Sequence, residues 1–385
     1  MSKKKRLLLS IAHSYCVTLN RRLAQEMARV GTDAWDVTVA APESFSGDLS
    51  HITIQHDPDE LYRLETVPAH WSKHIHVMFY GDRLRRLLRE SWDVVHCWEE
   101  PFILAGGQAA WLSPRRARLV YSTFQNLDKR YPAPFNWIEQ YAMRRAQGWI
   151  AFGHTVEETL VRRELYAARS RRVIPLGVDT ERFCPDTPAG RAIRAQLGWT
   201  GSTPLVVGFL GRFVPEKGLA LLMRTLDALS VPWRALLVGG GPLESKLRDW
   251  GDRHGDRVRV VTGVRHDDVP AYLNAMDVMC APSQTAPQWR EQLGRMLLEA
   301  FACGVPVLAS DCGEIPYVVA HAGIIIGERA EPDWVDTLSD LLENECRRDA
   351  LKQRGLERAH SVFSWPTIAR QHLHFFDELL DTRGA

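Results

Sequence analysis

Short runs of apolar and β-branched residues recur along the chain and alternate with stretches of helical spacing. In the first half a helix is predicted through Leu19–Val30, and the apolar runs are RLLLSIAH, WDVTVAAP, DVVHCW, RLVYSTF, GWIAFG and RRVIPLG. Strands that are apolar throughout are typical of parallel sheets covered by helices on both faces. The first half is therefore predicted to form one Rossmann-like domain.

The same alternation starts again after a polar, helix-prone stretch from Asp186 to Trp199. The second set of predicted strands is PLVVGFLG, RALLVGGG, VRVVTG, VMCAPS and PVLASD. Two such units predict an α/β fold with two Rossmann-like domains facing a cleft, and a boundary between Arg172 and Thr203. We assign residues 1–175 to the first domain and 176–365 to the second. The helical tail 366–385 is expected to pack back on the first domain.

Composition is that of an ordinary soluble globular protein, with 45% hydrophobic and 25% charged residues. No apolar run approaches the roughly 20 residues that a membrane span needs. The N-terminal sequence MSKKKRLLLSIAHS is interpreted as a first buried strand and not as a signal peptide, because its apolar part is short and no cleavage site follows. The seven cysteines are scattered without a C-x-x-C pair, which favours a reducing cytoplasm and no zinc site.

The two halves of the chain differ in charge. Residues 1–175 hold 25 Lys and Arg against 19 Asp and Glu, a net charge of +6, and the remainder carries −5. A basic half suits an anionic partner or peripheral contact with an anionic membrane, here the inner membrane face. Its densest clusters are Lys3–Arg6 and a predicted basic helix with Arg83–Arg89. Chance scatter of surface charge is the alternative. No nucleic-acid partner is expected.

Two glutamates bracket the apolar segment EQLGRMLLEAFACGVP. Gly294 is predicted to begin a helix that Gly304 ends, which leaves Glu291 in the preceding loop and Glu299 inside the helix. Ionised carboxylates only accept hydrogen bonds, and a vicinal diol offers two donors, so we expect Glu299 to hold ribose hydroxyls and Glu291 the hydroxyls of a sugar. The alternative is that both are solvated. The backbone N–H groups expected to face the phosphates are those of Leu293, Gly294, Arg295 and Met296.

The segment GFLGRFVPEKG leads from a predicted strand into a helix. Gly211 lies where the strand ends, and Arg212 and Lys217 lie in the loop before the helix. Two cations beside a helix N-terminus suit a diphosphate, by charge and by free N–H groups. It is not a Walker A loop. A surface loop with incidental charges is the alternative.

Five segments in order resemble glycosyltransferase family 4. They are PLGVDTERFCP, GFLGRFVPEKG, LLVGGGPLESKL, VTGVRHDDVPAYLNAMDVMCAPS and the region around Glu291–x7–Glu299. The resemblance is strong over residues 175–320 and weaker before them. It implies the GT-B fold and transfer of a sugar from a nucleotide diphosphate sugar, with retention at the anomeric carbon. It also implies no essential metal and no further cofactor.

The resemblance also assigns roles to single residues. Arg212 and Lys217 should stabilise the leaving diphosphate, Glu291 should contact the donor sugar, and Glu299 the ribose. Val264 and Arg265 should lie beside the base. Candidates for contact with the acceptor or the sugar, in loops after first-half strands, are His13, Trp98, Gln125 and His154.

The chain departs from the family pattern at two places. Many members have a Gly-Gly pair in the first strand–helix loop, where this chain has Ser14-Tyr15-Cys16. Many also have a histidine where this chain has Gln125, and an amide cannot take part in proton transfer.

Three interpretations of function stay open at this stage. The first is a retaining glycosyltransferase, acting on a saccharide, glycolipid or small-molecule acceptor. The second is a sugar-nucleotide epimerase of the same fold, and the third is a non-catalytic nucleotide-sugar binding protein. The D-x-D at Asp57-Pro58-Asp59 would suit a metal, but no other motif supports it. The sequence does not distinguish UDP from GDP.

Overall fold

The computed structural model describes residues 4–46, 51–199, 201 and 204–382. Lys3 and Thr203, which the sequence analysis used, lie outside the described residues. The chain divides into two units. Unit 1 comprises Met1–Pro175 and Trp365–Ala385, and unit 2 comprises Leu176–Ser364. Trp365 was predicted to be the last residue of the second domain. In the structure it is the first residue of the last helix, which belongs to unit 1.

Unit 1 is built on a parallel sheet of seven described strands. Their order across the sheet is β11-β10-β9-β8-β1-β2-β5. Two short antiparallel ribbons, β3 with β4 and β6 with β7, lie outside it. The strands of unit 1 are β1 (Arg6–Ile11), β2 (Trp35–Pro42), β3 (Ser44–Ser46), β4 (His51–Thr53), β5 (Arg63–Val67), β6 (Ala69–His70), β7 (Phe79–Tyr80), β8 (Val94–Cys97), β9 (Arg118–Thr123), β10 (Gly148–Ala151) and β11 (Ser170–Val173).

Helices cover both faces of the unit 1 sheet. One buried cluster joins Leu8, Val94 and Val120 to the first and last helices, and a second joins Val95 and Leu119 to the helices of the opposite face. The helices of unit 1 are α1 (Arg22–Val30), α2 (Asp82–Leu87), α3 (Leu104–Leu112), α4 (Phe135–Arg145), α5 (His154–Leu160), α6 (Glu164–Ala167) and, after unit 2, α15 (Trp365–Asp381).

The first helix starts later than its periodicity predicts. A 3₁₀ turn covers Thr18–Arg21, and α1 begins at Arg22. The reason is the fully buried Arg21 side chain, which donates to the Tyr15 carbonyl, forms an ion pair with Glu60 and hydrogen-bonds the Tyr62 hydroxyl at 2.7 Å. A buried guanidinium needs this many partners, and meeting them sets the geometry of the preceding turn.

Unit 2 repeats the architecture with six described parallel strands, in the order β14-β13-β12-β15-β16-β17. The strands are β12 (Leu205–Arg212), β13 (Trp233–Gly240), β14 (Val258–Thr262), β15 (Val278–Ala281), β16 (Val307–Ser310) and β17 (Ile324–Ile326). The helices are α7 (Thr187–Gln196), α8 (Leu219–Ala228), α9 (Glu244–His254), α10 (Val269–Leu273), α11 (Arg295–Ala302), α12 (Ile315–Val319), α13 (Glu331–Glu343) and α14 (Glu345–Ser361). The predicted fold class, two Rossmann-like units of parallel sheet, is confirmed.

The predicted basic helix is shorter than expected and packs on the unit 1 sheet. Leu84 and Leu87 of α2 are buried, and Arg83 on its outer side pairs with Glu65 at 3.1 Å. Separately, none of the described helices combines the length and apolar character that crossing a bilayer requires.

The last helix is held to unit 1 by an apolar face. Ile368, Leu373, Phe375 and Phe376 of α15 are buried, and the Phe376 ring lies 5.2 Å from His96 and 6.2 Å from Trp35. Arg6 on β1 also pairs with Asp377. The chain therefore returns, after the whole of unit 2, to complete the core of unit 1.

We predict that Phe376→Ala destabilises unit 1 by about 3–5 kcal/mol, because it removes a fully buried ring and leaves a cavity. Urea unfolding, followed by fluorescence and far-UV circular dichroism, would measure this. Gln371→Ala, on the exposed side of the same helix, is the matched control. Equal midpoints for the two variants would contradict the assigned packing.

Candidate active site

Loops that follow three neighbouring strands of unit 2 converge at one edge of its sheet. The Gln284 N–H, after β15, donates to the Glu216 carbonyl, after β12, at 2.8 Å. Gly218 has φ +70°, and a Cβ there would lie 1.7 Å from the Pro282 carbonyl oxygen. Only glycine allows this approach. The close contact brings the start of α8 against the loop that carries Glu291.

Lys217 and Glu291, predicted for separate tasks, form an ion pair with each other. Both side chains are about nine-tenths buried, and Lys217 Nζ donates to Glu291 Oε2. The Ser283 hydroxyl donates to the same oxygen at 3.2 Å. An ammonium has three N–H donors, so Lys217 keeps donors for a further anion while it holds Glu291.

An aromatic ring completes the setting of Lys217. Nζ lies 5.3 Å from the centroid of the Trp289 ring, a distance suited to a cation–π interaction. The Trp289 backbone forms an antiparallel bridge with Ala286, which closes a tight turn just before Glu291. The loop thus brings one anionic and one aromatic partner to the same ammonium.

The loop after β16 holds the backbone of Glu291. Gly313 has φ +59°, and a Cβ there would lie 2.2 Å from the Glu291 carbonyl oxygen. That oxygen accepts from the Glu314 N–H at 3.0 Å. These contacts fix the backbone of Glu291, while Lys217 and Ser283 hold its side chain.

The start of α11 offers backbone donors beside this pair. Gly294 precedes the helix with φ +74°, as expected from the sequence, and Arg295 is its first residue. Within the described chain, the N–H groups from Leu293 to Met296 donate to no carbonyl. Arg212 ends β12 with an exposed side chain that makes no ion pair among the described residues. Cations and free N–H groups together suit a diphosphate.

Glu299 lies one turn into α11 and is partly buried. Burial raises its pKa to about 7, while the positive charges of Arg295 and Arg182 act against the rise. Its carboxyl accepts no hydrogen bond from the described residues. A hydrogen-bonding diol would favour the ionised form, because donors to a carboxylate stabilise its charge.

The predicted base-side residues follow β14. Val264 packs against the buried cluster of unit 2, and Arg265 is exposed and pairs with Asp268 at 3.0 Å. His266 comes next. Burial and the charges of Arg182 and Arg295 lower its pKa. Arg182 therefore acts electrostatically on both Glu299 and His266, and the sequence analysis did not single it out.

In unit 1, partly buried His13 forms an ion pair with fully buried Glu99 that the sequence did not predict. Its Nδ1 lies 2.6 Å from Glu99 Oε2, and its backbone N–H and the Tyr80 hydroxyl donate to Oε1 of the same carboxylate. Burial opposes ionisation of both groups. Their mutual attraction and hydrogen bonds prevail, raising the pKa of His13 and lowering that of Glu99.

The neighbouring glutamate is held differently. Glu100 accepts hydrogen bonds from the Thr123 hydroxyl at 2.7 Å and the Phe124 N–H at 2.9 Å. Burial nevertheless raises its pKa to about 7. Two adjacent carboxyls after β8 thus differ in ionisation because only Glu99 has a cationic partner.

The other acceptor candidates have structural contacts. Trp98 donates to His96 Nδ1 at 3.1 Å, and its ring lies 4.8 Å from Phe152. Gln125 is buried, and with its amide oxygen turned to Arg163 it accepts from that guanidinium at 2.8 Å. His154 is exposed at the first position of α5.

The Ser14-Tyr15-Cys16 segment, where the family often has Gly-Gly, forms a 3₁₀ turn over His13–Cys16. Tyr15 and Cys16 are buried, and the Tyr15 hydroxyl lies 2.8 Å from Ser10 Oγ. This loop is therefore filled by its own side chains.

Within the described residues, no three His, Cys, Asp or Glu side chains are grouped so that they could hold a metal ion. Asp57 and Asp59 of the D-x-D lie in a turn in which the Asp59 N–H donates to Asp57 Oδ1 at 3.0 Å.

Two family models match the chain. The model described as Glycosyltransferase Family 4 covers residues 17–182, and Glycosyl transferases group 1 covers residues 191–358. A D-inositol 3-phosphate glycosyltransferase of Xylanimonas cellulosilytica is 30% identical over 77% of this chain and 74% of its own length. The chain belongs to glycosyltransferase family 4.

The chain is also similar to the GDP-mannose-dependent alpha-(1-6)-phosphatidylinositol monomannoside mannosyltransferase of Mycobacterium tuberculosis, with 36% identity over 54% of this chain. The alignment spans only 56% of that relative's length. Among solved structures, sucrose-phosphate synthase of Thermosynechococcus elongatus aligns over 98% of this chain and 100% of its own, with a TM-score of 0.71 and 20% identity. Anabaena HepE in complex with UDP aligns over 97% and 100%, with a TM-score of 0.72 and 20% identity. These likenesses confirm the GT-B fold.

The sequence did not predict several side chains that contact the candidate site residues, although the positions of some of them could have indicated a role. Glu99 and Glu100 directly follow a predicted strand, and Trp289 precedes the family glutamate by two residues. The contacts of Tyr80 and Ser283 depend on elements distant in sequence, and no local pattern indicates them.

We predict that Trp289→Ala lowers kcat/KM for the donor about 5- to 30-fold, because a desolvated cation–π contact is worth about 1–2 kcal/mol and its loss leaves the Lys217 ammonium positioned by Glu291 alone. Steady-state kinetics would measure it. Trp289→Phe, which keeps a ring, should recover most of the loss. Equal kinetics for alanine and wild type would contradict the role of the ring.

We also predict that Glu99→Gln lowers the pKa of His13, because the charge that offsets burial is removed. NMR titration of the imidazole would follow it. Tyr80→Phe keeps the Glu99 charge and should leave the pKa of His13 raised above 6.5. The stabilisation from His13 should be complete below pH 6.5 and decline as the pH rises through the raised value. An unchanged titration in Glu99→Gln would refute the pairing.

Proposed function

We propose that this protein transfers a hexose from a nucleotide diphosphate sugar to an acceptor hydroxyl, with retention at the anomeric carbon. The observation that carries the proposal is the convergence, at one sheet edge of unit 2, of Lys217, Glu291 and the uncommitted N–H groups that start α11. In this proposal the bond between the anomeric carbon and the diphosphate breaks, and negative charge accumulates on the departing phosphate oxygen. Donors arranged in advance around that oxygen lower the barrier.

Each residue has a role in the proposed reaction. Arg212 and Lys217 neutralise the leaving diphosphate. Glu291, held by Lys217 and Ser283, accepts from donor-sugar hydroxyls, and Glu299 accepts from the ribose. Val264 and Arg265 flank the base. His13, the ion-paired partner of Glu99, is the stronger acceptor candidate in unit 1, whereas Gln125, in contact with Arg163, is the weaker one.

We infer that the diphosphate is neutralised by these side chains and backbone dipoles and that no metal is needed. The donor base stays a choice between GDP, named for the mycobacterial relative, and UDP, bound in the HepE structure. Both relatives cited above are named for inositol-containing acceptors. That chemistry and the +6 charge of residues 1–175 support an anionic acceptor, soluble or presented at a membrane in the cytoplasm. Its product would be a glycolipid or another glycoconjugate.

We predict that Arg212→Ala and Lys217→Ala each lower donor turnover by roughly 100- to 1,000-fold. Arg212 is exposed, so its variant should unfold like wild type. Lys217→Ala leaves Glu291 buried without its cation and should also lose stability. Lys246→Ala, an exposed cation on α9, is the matched control. Unchanged turnover in Arg212→Ala and Lys217→Ala would refute the leaving-group role.

The same assay separates the competing activities. Candidate donors are first ranked by thermal shift, since a ligand at 100 times its Kd adds about 2.7 kcal/mol. With donor alone, an isomerised sugar nucleotide would identify an epimerase, and binding without turnover under any acceptor would identify a binding protein. Activity that is lost after chelation and restored by magnesium or manganese would contradict metal independence.

A further inference from the structure

Three large aromatic side chains are exposed on neighbouring helices of unit 1. The exposed fractions are 69% for Trp111 on α3, and 65% for Trp137 and 41% for Tyr141 on α4. Rings of this size are normally removed from water, and a group of them on one surface marks an interaction site. We call these three residues the aromatic face.

Helix packing turns the three rings to one side. A Cβ on Gly107 of α3 would lie 2.6 Å from Ile138 of α4, and Arg145 at the end of α4 donates to the Ser113 carbonyl at the end of α3. The two helices therefore lie side by side and run in the same direction. Gly107 and Ile138 mark the sides by which the two helices touch. Counting from these residues at 3.6 residues per turn, Trp111 on α3 and Trp137 and Tyr141 on α4 lie on the same side of the helix pair. The buried alanines of both helices point away from it.

The surroundings of the aromatic face are cationic. Residues 104–145 contain seven Lys and Arg against two Asp and Glu. Exposed Arg144 lies one turn after Tyr141, and exposed Arg115 follows the end of α3. Both carboxylates of the segment, Asp128 and Glu139, pair with Arg163, at 3.1 and 2.7 Å. The positive charge beside the rings is thus not neutralised within the segment.

We propose that the aromatic face docks on an anionic lipid bilayer, with the rings at headgroup level and the arginines against lipid phosphates. Trp and Tyr favour this interface because they join an apolar body to a polar tip. Basic residues next to such rings are attracted by the negative surface potential of anionic lipid. The inference deepens the proposed function, since it rests on an acceptor presented at a membrane.

A second copy of the chain fits the aromatic face less well. An isologous dimer would bring the same patch from both copies together, and Arg115 and Arg144 would then meet their equivalents with no carboxylate between them. The basic helix α2 also fits a bilayer less well. Its leucines Leu84 and Leu87 are buried, and Arg83 is paired with Glu65, so it offers charge without an apolar face.

The test is co-sedimentation of the full chain with vesicles of phosphatidylglycerol and phosphatidylcholine in equal parts, against vesicles of phosphatidylcholine alone, at low salt. Wild type should bind the anionic vesicles and be released by added salt. Trp111→Ala with Trp137→Ala should weaken the partition at least about tenfold. Trp71→Ala is the matched control, because Trp71 is 67% exposed outside the aromatic face. Its partition should equal that of wild type.

Charge variants separate the two basic surfaces. Arg115→Glu with Arg144→Glu should lower the partition, whereas Arg85→Glu on α2 should not. Wild-type partition in the double tryptophan variant, a loss confined to Arg85→Glu, or absence of binding by wild type would each overturn the proposal. So would a concentration-dependent dimer in sedimentation velocity that the double tryptophan variant abolishes.

Donor turnover with an acceptor in solution, measured on the same preparations, keeps the two proposals apart. The tryptophan variants should keep wild-type turnover there, because the aromatic face contains none of the proposed active-site residues. Loss of vesicle binding with turnover intact supports docking. Turnover without any vesicle binding by wild type overturns docking and leaves the glycosyltransferase proposal standing.

Discussion

The buried ion pair between Lys217 and Glu291 is the constraint around which the proposed active site is arranged. Two charges that are mostly removed from water must be paired closely, and neither loop could hold its charge there alone. The pair therefore requires the loops after β12 and β15 to meet. Glycine at 218 and at 313 permits the close backbone contacts that this meeting needs. The Trp289 ring and the Ser283 hydroxyl supply the remaining contacts.

The same electrostatic logic governs unit 1, with a different outcome for each carboxyl. Glu99 stays ionised because His13 and Tyr80 surround it, whereas burial raises the pKa of Glu100 to about 7 although two neutral donors reach it. Glu299 in unit 2 resembles Glu100, since burial outweighs two cations that act without hydrogen bonds. Burial alone thus does not decide whether a carboxyl is ionised. The number and the charge of the groups that contact the carboxyl also decide it.

The helices of the basic half differ in whether exposed apolar side chains accompany their positive charge. On α2 the leucines face the sheet, and the charge of Arg83 is balanced by Glu65 of β5. On α3 the buried residues are alanines and a glycine, on α4 they are Ala142 and Met143, and the large rings of both helices are exposed next to arginines. The net charge of the half was visible in the sequence. Which of its helices combines cations with exposed rings depended on how each helix packs.

The sequence by itself determined the two Rossmann-like units, most of the central strands, the helix start at Gly294 and the family motifs, because buried parallel strands and glycine-bearing turns have local signatures. The sequence did not predict the edge strands β5 and β17, because their pairing partners lie elsewhere in the chain. It also did not predict the late start of α1, because the partners of buried Arg21 are distant in sequence. Among candidate site residues, it singled out Lys217, Glu291 and Glu299 but did not predict that the first two bind each other. Only the tertiary structure decided the pairing of Lys217 with Glu291 and of His13 with Glu99. Such contacts join residues about 70 or more positions apart, and their strength depends on burial that no local pattern encodes.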